Sequence, residues 1–259
     1  MSMKIYFLGT CAGTEPMPDR KHASVAIECG DAIYWFDAGE GCSYTAHNMG
    51  LDLLKVKKIV ISHTHMDHVG GLGNLLWNIR KLSTVKKQNP HSGRIDVYLP
   101  NLETWEGLML LLRNTEGKFA TKYPICGTAV KEGLVFDDGK VKAIAYPNTH
   151  MKAEEQEICL SYSYAIECEG KRVVYSGDVG SYTELDGAVS DGCDGLIIET
   201  GHFGIDAVKE YVADKNIGKL FFSHNGREIL NDPEVSQQKV MNYFNGRAVI
   251  CEDGTIFEL

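Results

Sequence analysis

The stretch Ile61-Ser62-His63-Thr64-His65-Met66-Asp67-His68-Val69 constrains this chain more than any other. Three imidazoles and one carboxylate stand within six positions. The apolar run Ile59-Val60-Ile61 comes just before and reads as a buried strand. Gly70-Gly71 come just after and give the backbone freedom to turn. The four polar side chains are therefore expected on a tight loop at a strand end. Imidazole nitrogen and carboxylate oxygen are the donors that suit Zn²⁺ and neighbouring first-row metals. In an extended segment His63 and His65 point to one side. Asp67 and His68 follow on the turn and can face a second point. One short loop could serve two metal ions, whereas a solvated loop rich in histidine by chance would show no such order.

Four donors do not saturate two metals, because each four-coordinate zinc takes about three protein ligands plus a water. More His and Asp are expected at other strand ends, and they are present. Thr149-His150 follows Val141–Tyr146, Gly177-Asp178 follows Arg172–Ser176, and Ser223-His224 follows Lys219–Phe222. H-x-H-x-D-H, then a separated His, then Ser-Gly-Asp, then Ser-His, resembles the metallo-β-lactamase superfamily of binuclear metal hydrolases across nearly the whole chain. The resemblance implies that His63, His65 and His150 hold one metal. It implies that Asp67, His68 and His224 hold a second, with Asp178 bridging. It also implies an α/β fold over residues 1–259 as one domain: a four-layer αββα sandwich of two mixed sheets flanked by helices.

The remaining composition narrows the function classes. Net charge is −9, and the short basic runs Lys55-Val56-Lys57-Lys58 and Lys86-Lys87 read as solvated faces. A nucleic-acid surface needs a basic patch that neutralises phosphates, and none is evident. No run of about 18 apolar residues marks a membrane span, and the strand-like start carries no secretion signal. The eight cysteines include no C-x-x-C pair. They read as reduced thiols of a cytoplasmic protein.

Along the chain, Lys4–Leu8 reads as a first strand, leading into the small-residue loop Gly9-Thr10-Cys11-Ala12-Gly13-Thr14-Glu15-Pro16. Ser24–Cys29 and Ala32–Phe36 form a second and third strand, closed by Asp37-Ala38-Gly39-Glu40-Gly41. Asp37 fits two readings, a carboxylate that holds a ligand imidazole by its second nitrogen or a turn or cap residue. Helices are expected over Ser43–Leu54, across Leu72, Leu75, Leu76 and Ile79, along the core-like stripe Leu102–Leu112, over Ile205–Lys215, and from Pro233 behind an Asp232 N-cap to about Phe244. Residues 117–140 are the least regular, with Phe119, Tyr123 and Ile125 either lining a pocket or packing under a loop. A final hairpin is expected, Arg247–Cys251 with Thr255–Leu259 about Asp253-Gly254.

The N-terminal Gly-Thr-x-x-Gly-Thr-x-Pro, the Asp-x-Gly-Glu-Gly segment and Glu199-Thr200-Gly201-His202 resemble the phosphodiesterase side of the superfamily. That side includes ribonuclease Z and the cyclic-nucleotide and cyclic-phosphate phosphodiesterases. The expected activity is hydrolysis of a small or short phosphodiester by two divalent ions, zinc first and manganese or iron as alternatives. A water shared by two such ions ionises near neutral pH and becomes the nucleophile. Asp67 can bind metal and orient that nucleophile, and His202 is the candidate proton donor. The alternative is lactone or thioester hydrolysis on the same metals, then iron-dependent redox chemistry, for which no flavin domain is appended. A non-catalytic binding role fits the full donor set least. No long Gly/Pro-rich arm of the kind that holds transfer RNA in many ribonuclease Z enzymes is seen. Full-length transfer RNA is therefore not the expected substrate, while a homodimer is compatible with the sequence. His22, His47 and His91 carry no argument for a role.

Overall fold

The computed structural model describes residues 3–151, 159–190 and 192–259. The first half runs β1 (Met3–Gly9), β2 (Ser24–Cys29), β3 (Ala32–Phe36), α1 (Cys42–Asn48), β4 (Val56–Val60), α2 (Met66–Val69), α3 (Leu72–Lys86), β5 (Ile95–Leu99), α4 (Leu102–Arg113) and β6 (Ile125–Ala129). The second runs β7 (Gly133–Asp137), β8 (Val141–Pro147), β9 (Tyr162–Cys168), β10 (Lys171–Tyr175), α5 (Asp186–Val189), β11 (Cys193–Glu199), α6 (Ile205–Tyr211) and β12 (Ile217–Ser223). It closes with α7 (Arg227–Asn231), α8 (Pro233–Phe244), β13 (Ala248–Ile250) and β14 (Ile256–Glu258).

Two seven-stranded sheets result, β14-β1-β2-β3-β4-β5-β6 and β13-β12-β11-β10-β9-β8-β7. Their inner faces meet through Phe7, Ile27, Tyr34 and Phe36 of the first and Tyr164, Ile166, Tyr175 and Phe221 of the second. The outer face of the first sheet, with Trp35, Ile59 and Val97, packs on Leu72, Leu75, Leu76 and Ile79 of α3. That of the second, with Leu196, Ile198 and Phe222, packs on Ile205, Val208, Val240 and Phe244 of α6 and α8. The protein is the expected αββα sandwich. Central strands have both faces covered, so they read as continuous apolar runs rather than alternating ones. All five residues of β3 are buried, Ile33 and Trp35 outward and Tyr34 and Phe36 inward.

This topology sends one set of strand ends to one rim. β3, β4 and β5 are parallel, as are β10, β11 and β12. β8 and β10 are both antiparallel to β9, so β8 ends on the same side as β10. Ligands in open α/β sheets gather outside the carboxyl ends of the strands. The loops after β3, β4, β8, β10, β11 and β12 carry Asp37, the 63–68 motif, His150, Asp178, His202 and His224.

Several expectations are corrected. The expected C-terminal hairpin does not form, because β13 joins the second sheet beside β12 and β14 joins the first beside β1. An Asp-Gly pair specifies a turn but not which sheet its flanks enter. The Asp253 carboxylate accepts from Thr10 N, Thr10 Oγ1 and Lys21 N, and so anchors the loop after β1. The helix expected over Ser43–Leu54 stops at Asn48, because Gly50 takes φ +78 and a separate 3₁₀ turn covers Leu53–Lys55. Residues 117–140 hold two edge strands, β6 and β7, and Phe119 and Tyr123 are buried in the core under α4. Within α4 only Leu112 of the expected core stripe is fully buried, and Trp105, Leu108 and Met109 pack against the core partly exposed.

The cysteine reading also changes. Cys29 and Cys168 form a disulfide across a sequence separation of 139. They are the last residues of β2 and β9, brought together by the inter-sheet core. Local spacing says nothing about such a remote pair. The other six cysteines are free thiols. The thiol-based argument for a cytoplasmic protein therefore falls away. No helix among the described residues is long and apolar enough to cross a membrane.

Candidate metal centre

β4 ends at Val60, and Ile61 to His65 lead from it to the single turn of α2, with His65 itself extended. The strand end is tied to the opposite sheet, with Tyr164 OH donating to Ile61 O at 3.0 Å and Tyr162 N to Ser62 O at 3.0 Å. His63 and His65 lie on one side, with His63 Nε2 3.0 Å from His65 Nδ1. Asp67 and His68, on the helical turn, face a second point. Gly70 and Gly71 have ordinary helical φ of −62 and −91, so they are not needed for a sharp turn. Gly71 is needed for a close approach, because a Cβ there would sit 2.1 Å from Gly39 O.

The structure brings all seven expected donor residues into two adjoining groups, His63, His65, His150 and Asp67, His68, Asp178, His224. In the first, His150 Nε2 is 3.2 Å from His65 Nδ1. In the second, His68 Nε2 is 3.3 Å from Asp67 Oδ2 and from Asp178 Oδ1, and His224 Nε2 is 3.1 Å from Asp67 Oδ2. A tetrahedral ion with ligands at about 2.0–2.1 Å sets its donor atoms roughly 3.3 Å apart. Asp178 stands between the groups, its Oδ2 3.3 Å from His224 Nε2, 3.6 Å from His150 Nε2 and 3.7 Å from His63 Nε2.

Two further observations fit a cation. His68 Nε2 and Asp178 Oδ1 are buried with no hydrogen-bond partner. Buried polar atoms of native proteins are nearly always satisfied, and both of these point into the donor cluster. Protonation is the second observation. Burial, followed by the neighbouring His68 charge, keeps the His63 imidazole far below its usual range, and burial lowers His150 too. Both are neutral lone-pair donors. Burial also opposes charge on His68, but Asp178 and Asp37 outweigh it and raise that imidazole well above its usual range. Burial is likewise outweighed at His224, which Asp178, Asp67 and Glu199 raise to about 9. Burial would raise Asp67 and Asp178, yet their histidine partners hold both well below the usual carboxylate range. The carboxylates thus call for positive charge. Protons on His68 and His224 supply it, and divalent ions that displace those protons would do the same.

The surroundings fix the donors. Asp37, fully buried, accepts from Ser62 N at 2.6 Å, Ser62 Oγ at 2.6 Å, Tyr175 OH at 2.8 Å and His68 Nδ1 at 2.7 Å. It is therefore an imidazole-orienting carboxylate, and its bond at Nδ1 leaves His68 Nε2 facing the cluster. Asp37 (φ +55) and His224 (φ +47) both take left-handed backbone, a cost of order 1–3 kcal/mol that the surrounding structure must hold. For His224 the hold comes from its neighbours, with Asn225 N donating to Thr10 O at 2.6 Å and Thr200 N to His224 O at 3.3 Å. We expect Asp37→Asn to lower metal affinity by roughly 10–100-fold without unfolding the protein. Competition against a graded chelator measures it, and an unchanged affinity would refute the orienting role.

His202 emerges on the same rim. Its Nδ1 and backbone N–H both donate to Glu199 Oε2, at 2.9 and 3.0 Å. Its ring stacks 5.7 Å from that of His224, and its side chain is 42% exposed. Asp178, Glu199, His202 and His224 could be read as a third ion site. His224 Nδ1, the nitrogen turned away from Asp67, is 3.7 Å from Glu199 Oε2. The short His202–Glu199 contact is a hydrogen bond, so the pair is a histidine–carboxylate dyad. Burial would raise the Glu199 carboxyl, but the hydrogen bond from His202 and the nearby His224 imidazole hold it low. The bond to Glu199 in turn raises the His202 imidazole. The sequence pattern assigns no separate role to Glu199, Tyr175 or Tyr164. Their signal is faint, since a tyrosine in an inter-sheet core is ordinary.

The remaining histidines stay outside. His22 Nε2 is 3.3 Å from Thr14 O and His22 Nδ1 4.0 Å from Glu40, while His47 and His91 are exposed. The two groups open into a cavity of about 400 Å³, walled by Ala12, Gly13 and Thr14 on one side and Gly201, His202, Gly226 and Arg227 on the other.

A profile of the family described as "Anti-Pycsar protein Apyc1" matches residues 3–198. The chain belongs to the Apyc1 family. The matched stretch ends one residue before Glu199, so the dyad and His224 lie outside it. A ribonuclease Z of Leuconostoc mesenteroides is 32% identical over 151 residues, 57% of this chain and 45% of that relative's length. Among solved structures, the metallo-β-lactamase fold protein YhfI of Bacillus subtilis superposes with a TM-score of 0.74 at 17% identity, covering 100% of both chains. The short form of human tRNase Z, ELAC1, gives 0.70 at 20% identity, covering 98% of each. This Apyc1-family chain thus shares the fold of these structures and spans less than half the length of the ribonuclease Z it matches.

Proposed function

We propose that this protein hydrolyses a small phosphodiester with two divalent ions, zinc first, in a site built by the whole of residues 1–259. His63, His65 and His150 would hold one ion, Asp67, His68 and His224 the other, and Asp178 both. Such ions would supply Lewis acidity and an activated water. The observation that carries the reading is the His202–Glu199 dyad beside the donor cluster. The thiolate of a thioester departs readily, but the alkoxide of a phosphodiester is a strong base and needs a proton. His202, with Nδ1 held by Glu199, presents Nε2 as that proton's source. Asp67 lies at the cavity wall, where a carboxylate accepts a hydrogen bond from the attacking water and sets its direction. Burial of the carboxylates and the clustered donors keeps this arrangement preorganised.

A small substrate is supported by the cavity of about 400 Å³ and by the net charge of −9, which repels a long polyanion. Residues 117–140 fold into a 3₁₀ turn and two edge strands rather than into an extended arm. The test is a panel run on metal-restored protein: a chromogenic phosphodiester, a cyclic mononucleotide, a lactone, a thioester and a precursor transfer RNA. We expect turnover of the first two and little of the rest. Preferred turnover of the lactone or thioester would overturn the phosphodiester reading. Efficient 3′ trimming of the transfer RNA would overturn the size claim.

A further inference from the structure

We infer that Arg227 is the substrate-phosphate clamp of this site, held by Glu15 until an anionic substrate takes its place. The inference rests on the phosphodiester reading above. Among the described residues that line the cavity, Arg227 is the one lysine or arginine. It opens α7, three residues after His224, and comes from the second sheet. Glu15 lies in the loop after β1, from the first sheet. Their side chains meet at the cavity mouth, Arg227 Nη2 to Glu15 Oε2 at 2.5 Å, and both are more than half exposed.

An exposed pair of this kind contributes little to stability, because solvent screens it and two long side chains lose freedom in holding it. It can therefore exchange partners at small cost. The guanidinium is a planar fork that matches a phosphate's two non-bridging oxygens, and it keeps its charge at any working pH. The local backbone keeps the fork at the mouth. A Cβ on Gly226 would sit 2.9 Å from Gly201 Cα and O, so the Arg227 loop is packed against the loop that carries His202. The loop carrying Glu15 is fixed in turn, because Asp253 anchors Thr10 and Lys21 on either side of it. A neutral ester has no charge for Arg227 to bind, whereas a phosphodiester carries one. The clamp would thus select for phosphodiesters before any chemistry occurs.

The test compares Arg227→Ala, Arg227→Lys, Glu15→Gln and the Glu15→Gln/Arg227→Ala double variant, each with metal restored and metal content measured. Bis(p-nitrophenyl) phosphate and p-nitrophenyl acetate serve as substrates with one leaving group and different charge. Inorganic phosphate serves as a competing anion. For Arg227→Ala we expect KM for the phosphodiester and the inhibition constant of phosphate to rise about 10–100-fold, the range for a lost charge-assisted bond. kcat should stay within about threefold and the acetate should be unaffected, the signature of lost ground-state binding. Arg227→Lys should recover part of the loss. Glu15→Gln should lower KM about two- to fivefold, because the competing carboxylate is gone. The double variant separates lost attraction from repulsion by a freed Glu15, and it should stay as weak as Arg227→Ala. The clamp is wrong if the double variant returns to within about twofold of Glu15→Gln. It is also wrong if the loss falls on kcat, on metal content or equally on the acetate. Failure of the underlying reading is distinct: the wild-type protein would then turn over neutral esters and no phosphodiester, whatever stands at position 227.

Discussion

Asp178→Ala should empty the metal centre. Protein purified without chelator should carry about two equivalents of divalent metal, and the variant well under one, with hydrolysis falling to the buffer rate. Asp178 is 2% exposed and has carboxylate oxygens near donor nitrogens of both groups. Its removal takes a ligand from both positions and the main counter-charge from His68 and His224. Each of those buried imidazoles would then meet a like charge nearby, a situation that favours neither protonation nor cation binding. His150→Ala removes one donor from one group and should leave the second ion in place. Elemental analysis of the two variants, with thermal unfolding to show that both are folded, checks the contrast. Equal metal content in the Asp178 and His150 variants would remove the shared role of Asp178. A wild-type protein fully active with one ion would remove the two-ion site itself.

That contrast shows why so much of the site was legible. H-x-H-x-D-H is local, so its spacing alone sets His63 and His65 against Asp67 and His68, and the structure keeps that division. The remote donors were readable because each follows a recognisable strand: β8 alternates buried and half-buried residues, while β10 and β12 carry unbroken apolar runs. Tyr34-Trp35-Phe36 and Leu196-Ile197-Ile198 are of this kind. Edge strands carry no such signal. β6 and β7 contain Gly127 and Gly133 and are mostly half-buried or exposed, so they read as irregular loop. β13 and β14 are three residues each, too short for a pattern to say which sheet they join.

What could not be read was pairwise and distant. The Cys29–Cys168 link depends on two strand ends meeting across the sandwich. The choice between the two roles of Asp37 depended on Tyr175 and Ser62 arriving at its oxygens. The need for Gly71 depended on Gly39 passing beneath it. In each case the deciding atom lies far along the chain or behind a turn, where periodicity and local propensity carry no information. The same limit hid Arg227. Nothing between Ser223 and Asn231 says that Glu15 stands opposite, and only the meeting of loops from both sheets makes the arginine a feature of the cavity.

His202→Ala should leave the metals and the fold intact and cut kcat by roughly 10²–10⁴-fold, the usual range for a general acid. The structure gives the reason its loss should be chemical rather than structural. The side chain is 42% exposed and lines the cavity, and its bonds to protein run through Nδ1 and the backbone to Glu199, which leaves Nε2 free of a protein partner among those bonds. The bond to Glu199 raises the imidazole above its ordinary value, which favours the protonated form a donor needs. A proton donor matters in proportion to the basicity of what departs. Along a series of phosphodiesters the defect should be largest for alkyl leaving groups and should shrink toward p-nitrophenolate, which leaves unprotonated. Glu199→Gln should reproduce part of the defect, because the amide keeps the shape but not the charge that holds the proton on His202. Three outcomes decide the role. A variant that loses metal makes His202 a ligand. A defect of equal size for good and poor leaving groups makes it a binding or packing residue. A defect that grows with leaving-group basicity, at unchanged metal content, is the one a proton donor produces.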